Sequence, residues 1–328
     1  MIKIPVSGQN GARLAPGEVC MSVTVNIEKI TKTFGDVIAL NGTTLQIDPG
    51  ELFGFIGPDG AGKTTLFRIL TSLLLPDSGK ASVDGLDVVK DYKKVRNMTG
   101  YMPGRFSLYG DLSVEENMEF YASIFHTTLK ENYDLVKDIY SHIEPFKKRK
   151  AKDLSGGMKQ KLALSCALIH RPKILLLDEP TTGVDAVSRK EFWELLKKMQ
   201  QQGITILVST PYMDEASLCD RVALMQNGNL LAINTPEQII ESYKGRLYEV
   251  KTDRMNDLVE VLRRIEGAEM VYRFGEFVHV TDTAGTDDFE KKLKQSLQEA
   301  KHGNILIREI SPVVEDSFLA LMDKEQNA

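Results

Sequence analysis

Nowhere in its 328 residues does this chain hold an apolar run approaching the ~18 residues of a membrane-spanning helix. If the protein works at a membrane, it works from the side. Cysteine is scarce and odd in number: Cys20, Cys166 and Cys219 lie far apart. That suits a reducing compartment and argues against both a disulfide framework and a zinc site. The five histidines, His126, His142, His170, His279 and His302, show no metal-ligand spacing. Positive charge is not in excess: the formal net charge is −5, which argues against a nucleic-acid surface as the main feature. The single tryptophan, Trp193, shares an amphipathic helical pattern with Leu195, Leu196 and Met199 and reads as core. There is no internal repeat, no low-complexity segment and no sustained heptad stretch. What is present is an ordinary soluble balance, 42% hydrophobic and 27% charged, enough for one large domain plus a small one.

Residues 1–21 lack a continuous apolar stretch of the signal-peptide kind and read as a disordered leader, or as a start placed ahead of Met21. From Val23 to Ile56, β-rich runs alternate with turn signals at Gly35-Asp36, Asn41-Gly42 and Pro49-Gly50. Residues from about 87 to 170 read as largely helical, with a capping box at Ser113 and Glu116 and a second helix from about Lys130 to Ile143. Beyond Pro172 the runs KILLLDEP and ITILVST flank a helical stretch. Near-continuous apolar strands in βα units predict a parallel sheet covered on both faces. Thr235 and Pro236 open another helix. A boundary falls near Lys244-Gly245. Residues 245–328 then read as βαββαβ and a closing helix, a small α+β domain of ferredoxin-like pattern.

Three motifs carry chemistry. Residues 57–64, GPDGAGKT, fit G-x-x-x-x-G-K-[ST] between a predicted strand and a predicted helix. There the backbone amides of Gly57, Asp59, Gly60, Ala61 and Gly62, with Thr65 beyond, wrap an anion at a helix N-terminus. Lys63 is expected to reach the β- and γ-phosphates of a nucleotide, and Thr64 the Mg²⁺. The run LLLDEP delivers Asp178 to the same metal and sets Glu179 beside it to polarise a water. The third motif, LSGGMKQ at residues 154–160, opens a helix on two glycines. That is a poor start for a helix but a good one for an anion-binding amide cluster at Ser155, Gly156 and Gly157.

Phosphate loop, LSGGMKQ and acidic strand, in that order, resemble the ATP-binding cassette (ABC) ATPases over roughly residues 22–243, with the helical subdomain at about 87–170. The resemblance implies a P-loop α/β fold with a mixed sheet. It implies a sandwich dimer in which Ser155, Gly156 and Gly157 clasp the γ-phosphate held by the opposite subunit. Phe34 matches the aromatic that stacks on adenine, and Asp185 the aspartate that lies against the other subunit. The closing SPVVEDSFLALM, through Pro312, Glu315, Asp316 and Phe318, is similar to the drug- and polysaccharide-exporter branch, whose permeases are separate ABC-2 type chains. The implied setting is the cytoplasmic face of a cell membrane. The implied partners are such a permease, meeting residues near Gly104 to Leu112, and a second ATPase subunit, identical or different. No nucleic-acid partner is expected. Soluble family members acting on ribosomes or DNA usually carry two cassettes in one chain or a long coiled coil, and neither occurs here.

Two positions depart from the family. Gly104 stands where a glutamine touches Mg²⁺ and the attacking water, and Pro211 where a histidine contacts the γ-phosphate. Both missing side chains serve the site built on this chain's own Lys63 and Glu179. Losing one preorganised donor costs an enzyme about 10²-fold in rate, so this site is expected to bind MgATP and hydrolyse it slowly while its LSGGMKQ serves a partner. In a homodimer, Arg105 or Tyr212 would instead have to substitute. A nucleotide-sensing subunit without transport catalysis is the remaining reading. The basic run FKKRKAK (146–152) reads as a solvated turn, and Cys166 as inert packing.

Overall fold

The computed structural model describes residues 24–105, 107–283 and 288–326. The expected leader (1–21) and Cys20 lie outside the described residues. β1 (Val25–Phe34) turns at Gly35-Asp36 into β2 (Val37–Ile47), a long antiparallel hairpin. The turn expected at Asn41-Gly42 does not form. Ile30 pairs with Thr43 and Thr31 with Asn41, so Gly42, at φ 72°, is the extra residue of a bulge inside β2. After β3 (Leu52–Ile56) come α1 (Lys63–Leu70), β4 (Ser78–Val83), β5 (Leu86–Asp87) and α2 (Tyr92–Met98).

The stretch expected to be largely helical contains β6 (Thr99–Met102) ahead of α3 (Val114–Ile124), α4 (Tyr133–Tyr140) and α5 (Gly156–Leu168). The capping box is present: Ser113 accepts from the Glu116 amide, and Glu116 accepts from that of Ser113. Next are β7 (Ile174–Asp178), α6 (Ala186–Gln201), β8 (Thr205–Thr210), a 3₁₀ segment Met213–Leu218, β9 (Arg221–Gln226), β10 (Asn229–Asn234) and α7 (Pro236–Glu241), capped by Thr235.

Sheet order explains what the strands do. A six-stranded sheet runs β10-β9-β3-β8-β7-β6, parallel except for β10. β3, β7 and β8 are buried at every residue, as their apolar runs require. Phe55 packs edge to face with Phe67 on α1, ring centroids 5.4 Å apart, which ties the helix to the sheet. Burying one such phenylalanine contributes about 2–3 kcal/mol. The β1–β2 hairpin, β4 and β5 make a second sheet.

Beyond residue 245 follow β11 (Arg246–Lys251), α8 (Met255–Arg263), β12 (Ala268–Phe274), β13 (Phe277–Asp282), α9 (Phe289–Glu299) and β14 (Leu306–Ile310). Their sheet order, β12-β13-β11-β14, all antiparallel, is the ferredoxin-like arrangement. This unit has its own apolar cluster, including Tyr248, Leu258, Val280, Phe289 and Leu293. α10 (Val314–Gln326) crosses back. Its Val314 and Phe318 belong to the same buried cluster as Ala216, Ile239 and Trp193 of the larger body.

Candidate functional site

β3 ends at Ile56 and the chain enters a loop that only glycine can build at two points. A Cβ on Gly57 would lie 2.1 Å from the Met225 carbonyl oxygen, and one on Gly62, at φ 103°, 2.3 Å from that of Ala39. α1 then begins with no side-chain cap and no acid in its first turn, which leaves its leading amides for an anion. The Lys63 ammonium folds back to donate to the Gly57 and Pro58 carbonyls at 2.7 and 2.9 Å. Burial pushes its pKa down, against the opposing pull of Glu179, Asp59 and Asp178.

The acids arrive from β7, paired in register with β8, so that Asp178 lies opposite Ser209. Ser209 Oγ donates to Asp178 Oδ1 at 2.5 Å and Thr64 Oγ1 to the same oxygen at 3.1 Å. A hydroxyl and a carboxylate at that separation form a hard-oxygen pair suited to Mg²⁺. Glu179 follows in a left-handed conformation, φ 50°, which is strained for glutamate. It is held by its amide, which donates to the Ser209 carbonyl at 3.0 Å and to Ser209 Oγ at 3.1 Å. Burial raises the Glu179 pKa. Lys63 opposes the rise, and Asp178 and Asp59 add to it. A raised carboxyl suits a group that accepts a proton from water near neutral pH.

These groups line one cleft of about 690 Å³. It brings together Asp59, Gly60, Ala61, Gly62, Lys63, Thr64, Thr65, Asp178 and Glu179. Gly57 lies behind the cleft, where its amide donates to the Thr210 carbonyl at 3.3 Å. Pro211 therefore leaves β8 beside the start of the phosphate loop. Gly104 and Arg105 line the same cleft, with Gly104 beside the end of β7. Phe34 does not line it. Its ring is half-exposed at the hairpin tip, with the Lys32 ammonium 5.4 Å above it, while Val37 and Ala39 line the wall. Sequence pattern alone does not point to Val37, Ala39 or Arg68 at this cleft, because only the fold of the hairpin and α1 brings them there.

Ser155, Gly156 and Gly157 also lie outside the cleft. Ser155 caps α5 by accepting from the Met158 amide at 3.4 Å, and Ser155 and Gly156 are exposed. A Cβ on Gly157 would meet Ser188 Oγ at 2.8 Å, so this helix start packs on the start of α6. Asp185 caps α6 by accepting from the Val187 and Ser188 amides. Beside it Val187 is 70% exposed, an apolar side chain left open on the same surface. The basic run is partly paired: Lys147 and Lys148 share Glu115, and Lys152 pairs with Asp111. Cys166 is buried, and burial pushes its thiol pKa far up, as inert packing requires. Among the described residues no cluster of His, Cys, Asp or Glu could hold a metal by itself.

The family pattern for ABC transporters matches residues 40–182. The chain is 31% identical over 307 residues to the Nod factor export ATP-binding protein I of Rhizobium sp. (strain N33), covering 92% of this chain and 98% of that one. It is 40% identical over 234 residues to the probable multidrug ABC transporter ATP-binding protein YbhF of Escherichia coli (strain K12), covering 68% of this chain. That match takes in only 38% of YbhF. Among solved structures it is similar to cbiO1 from Clostridium perfringens, part of the ABC transporter complex cbiONQ. The TM-score is 0.61 at 29% identity, covering 67% of this chain and 92% of that one. A dimeric ATP-binding cassette bound to ADP and Pi in a post-hydrolysis state gives a TM-score of 0.59 at 26% identity, covering 64% and 98%. Fold and cleft together define a P-loop nucleoside-triphosphatase cassette. The chain belongs to the ABC transporter family and carries its ATP-binding domain.

Proposed function

We propose that this chain is the ATP-binding subunit of an exporter, seated on the cytoplasmic face of a membrane beside a separate ABC-2 type permease. It pairs with a second ATPase subunit, and its own site holds MgATP longer than it hydrolyses it. The observation that carries this reading is the composition of the cleft. Lys63, Thr64, Asp178 and Glu179 converge there with Gly104 and Arg105, and among the described residues no amide side chain lines it. In the cleft the loop amides and Lys63 would bind the phosphates, Thr64 and Asp178 would hold Mg²⁺, and Glu179 would take the proton of the attacking water. The metal supplies charge neutralisation at the phosphates. The export role is supported by the names of the Rhizobium and Escherichia coli relatives. Pairing is supported by Ser155, Gly156 and Val187, exposed on a surface away from the cleft. A separate permease is supported because no helix among the described residues is long and apolar enough to cross a membrane.

Measured alone, the chain should bind MgATP and turn it over slowly, and adding a partner cassette that has both the glutamine and the histidine should restore turnover. Brisk ATPase by this chain alone would overturn the asymmetric reading. A nucleotide-sensing subunit is the second reading, favoured by Gly104 and Pro211. It predicts no gain in turnover when the permease complex is added.

The permease contact has a candidate seat. A cavity of about 200 Å³ between β6 and α5 is lined by Leu73, Tyr101, Leu108, Tyr121, Phe125 and His170. Burial holds the His170 pKa down to about 4, with a smaller opposing pull from the Thr99 carbonyl. His170 is therefore neutral at neutral pH, and the seat is mostly apolar, with Arg96 as the one charged side chain that lines it among the described residues. Tyr109, next in the chain to the lining Leu108, stands half-exposed, edge-on to Phe120 at 4.8 Å. A photocrosslinker at Tyr109 should capture the permease in membranes, and one at exposed Lys198 on α6 should not. Equal capture from both would remove the assignment.

A further inference from the structure

Arg105 is a cation with no visible employment. It is exposed and makes no hydrogen bond, ion pair or ring contact among the described residues, although it lines the cleft that holds Asp178 and Glu179. Its position is not free. Gly104, one residue before it, lies so close to the end of β7 that a Cβ there would be 3.1 Å from the Asp178 carbonyl oxygen and 3.6 Å from Glu179 Cβ. The loop is thereby seated against the acidic strand end, beside Glu179. In the reading above, the loop amides and Lys63 would hold the phosphates, and Glu179 would act on a water at the terminal one. A cation that lines the cleft next to Glu179's neighbour Gly104 would then meet that same terminal phosphate.

We propose that Arg105 is the terminal-phosphate contact of this site, a guanidinium standing in for the absent amide, by which the chain distinguishes ATP from ADP. The inference rests on the nucleotide-site reading above. A neutral amide helps position a metal and a water. A guanidinium has no acceptor, so it cannot ligate the metal or take a hydrogen bond from the water, but it is always charged and presents a planar fork that matches two phosphate oxygens. It also neutralises one negative charge at the end of the triphosphate, a task otherwise left to the metal. The exchange therefore favours holding ATP and disfavours activating water, and it lowers the dependence of ATP binding on Mg²⁺.

The test is nucleotide binding to the full chain by calorimetry, with ATP and ADP, each in Mg²⁺ and in EDTA. Arg105→Ala should weaken ATP binding by about 10- to 100-fold and ADP binding by less than about threefold. Arg105→Lys, which keeps the charge and loses the fork, should recover part of the difference. Removing Mg²⁺ should weaken ATP binding by more in Arg105→Ala than in the unmodified chain. Equal weakening of ATP and ADP, or no change in their ratio, would overturn the role of Arg105 while leaving the nucleotide site in place. Failure of the unmodified chain to bind either nucleotide would overturn the site itself. The exposed position makes misfolding of Arg105→Ala a minor concern, and an unchanged melting temperature of the nucleotide-free variant would dispose of it.

Discussion

Ser155→Arg is expected to remove most ATP turnover from the assembled dimer, about 10²-fold or more, while Glu179→Gln in the same chain costs only a few-fold. The difference follows from which site each residue serves. Ser155 and Gly156 are exposed at the start of α5 and make no part of their own chain's cleft. In the sandwich arrangement of the family their amides and hydroxyl meet the γ-phosphate held by the partner. An arginine there fills the space that the phosphate must enter. It also removes the hydroxyl that caps the Met158 amide, a smaller cost of about 1 kcal/mol. In the proposed reading Glu179 serves this chain's own site, where Gly104 and Pro211 stand in place of two donors, so its replacement would cost little turnover. Lys63→Ala should behave like Glu179→Gln in turnover while abolishing nucleotide retention by this chain. Turnover of a purified heterodimer, with each substitution placed in this chain alone, decides the matter. Equal losses from Ser155→Arg and Glu179→Gln would mean that both sites work alike.

The phosphate loop is legible in the amino-acid sequence because its function is backbone geometry within eight consecutive residues. Gly57 and Gly62 are glycines for reasons that a pattern encodes, and the distances of 2.1 and 2.3 Å that a Cβ would reach there supply the physical cause. The acid pair is legible because a buried strand has to end somewhere, and Asp178-Glu179 marks that end. Features that depend on distant chain segments are harder to read. β6 is four residues long and contains Gly100, so nothing local announces a strand; its stability comes from in-register pairing with β7. Asn41-Gly42 carries a strong turn signal, yet the flanking residues go on pairing with β1, and the glycine is absorbed as a bulge. The ferredoxin-like order is readable from alternating periods. That α10 stays tied to that unit through Asp316 while packing into the other cluster through Val314 and Phe318 is not, because a short amphipathic pattern does not say which of two cores receives it.

The contact made by α10 sets the second large effect. Asp316→Ala should destabilise the protein by about 3–5 kcal/mol. Asp316 is fully buried and accepts from three donors: the Tyr272 hydroxyl at 2.5 Å, His279 Nδ1–H at 2.8 Å and the Val313 amide at 2.7 Å. Removing it leaves an imidazole, a phenol and a backbone amide unpaired in an enclosed space. Asp316→Asn should fall between, because its amide keeps one acceptor but turns two donors toward the groups that were donating. Burial alone would push the carboxyl pKa up. The hydrogen bonds from His279, Tyr272 and the Val313 amide outweigh it and hold Asp316 below the ordinary aspartate range. A depressed carboxylate contributes stability that is complete above the unfolded aspartate pKa and is lost as pH falls through the lower folded value. The gap between unmodified protein and Asp316→Ala should therefore be constant from pH 6 upward, within about 1 kcal/mol, and narrow as pH drops below about 4. The lone tryptophan gives the readout. Trp193 shares a buried cluster with Val314 and Phe318, so its fluorescence in a urea titration reports the larger body and not the ferredoxin-like unit. A large shift in that signal means that the closing helix supports the nucleotide-binding body through Asp316. A shift of less than about 0.5 kcal/mol, the range of an ordinary surface substitution, would mean that the two bodies are energetically independent and that α10 merely rests against the first.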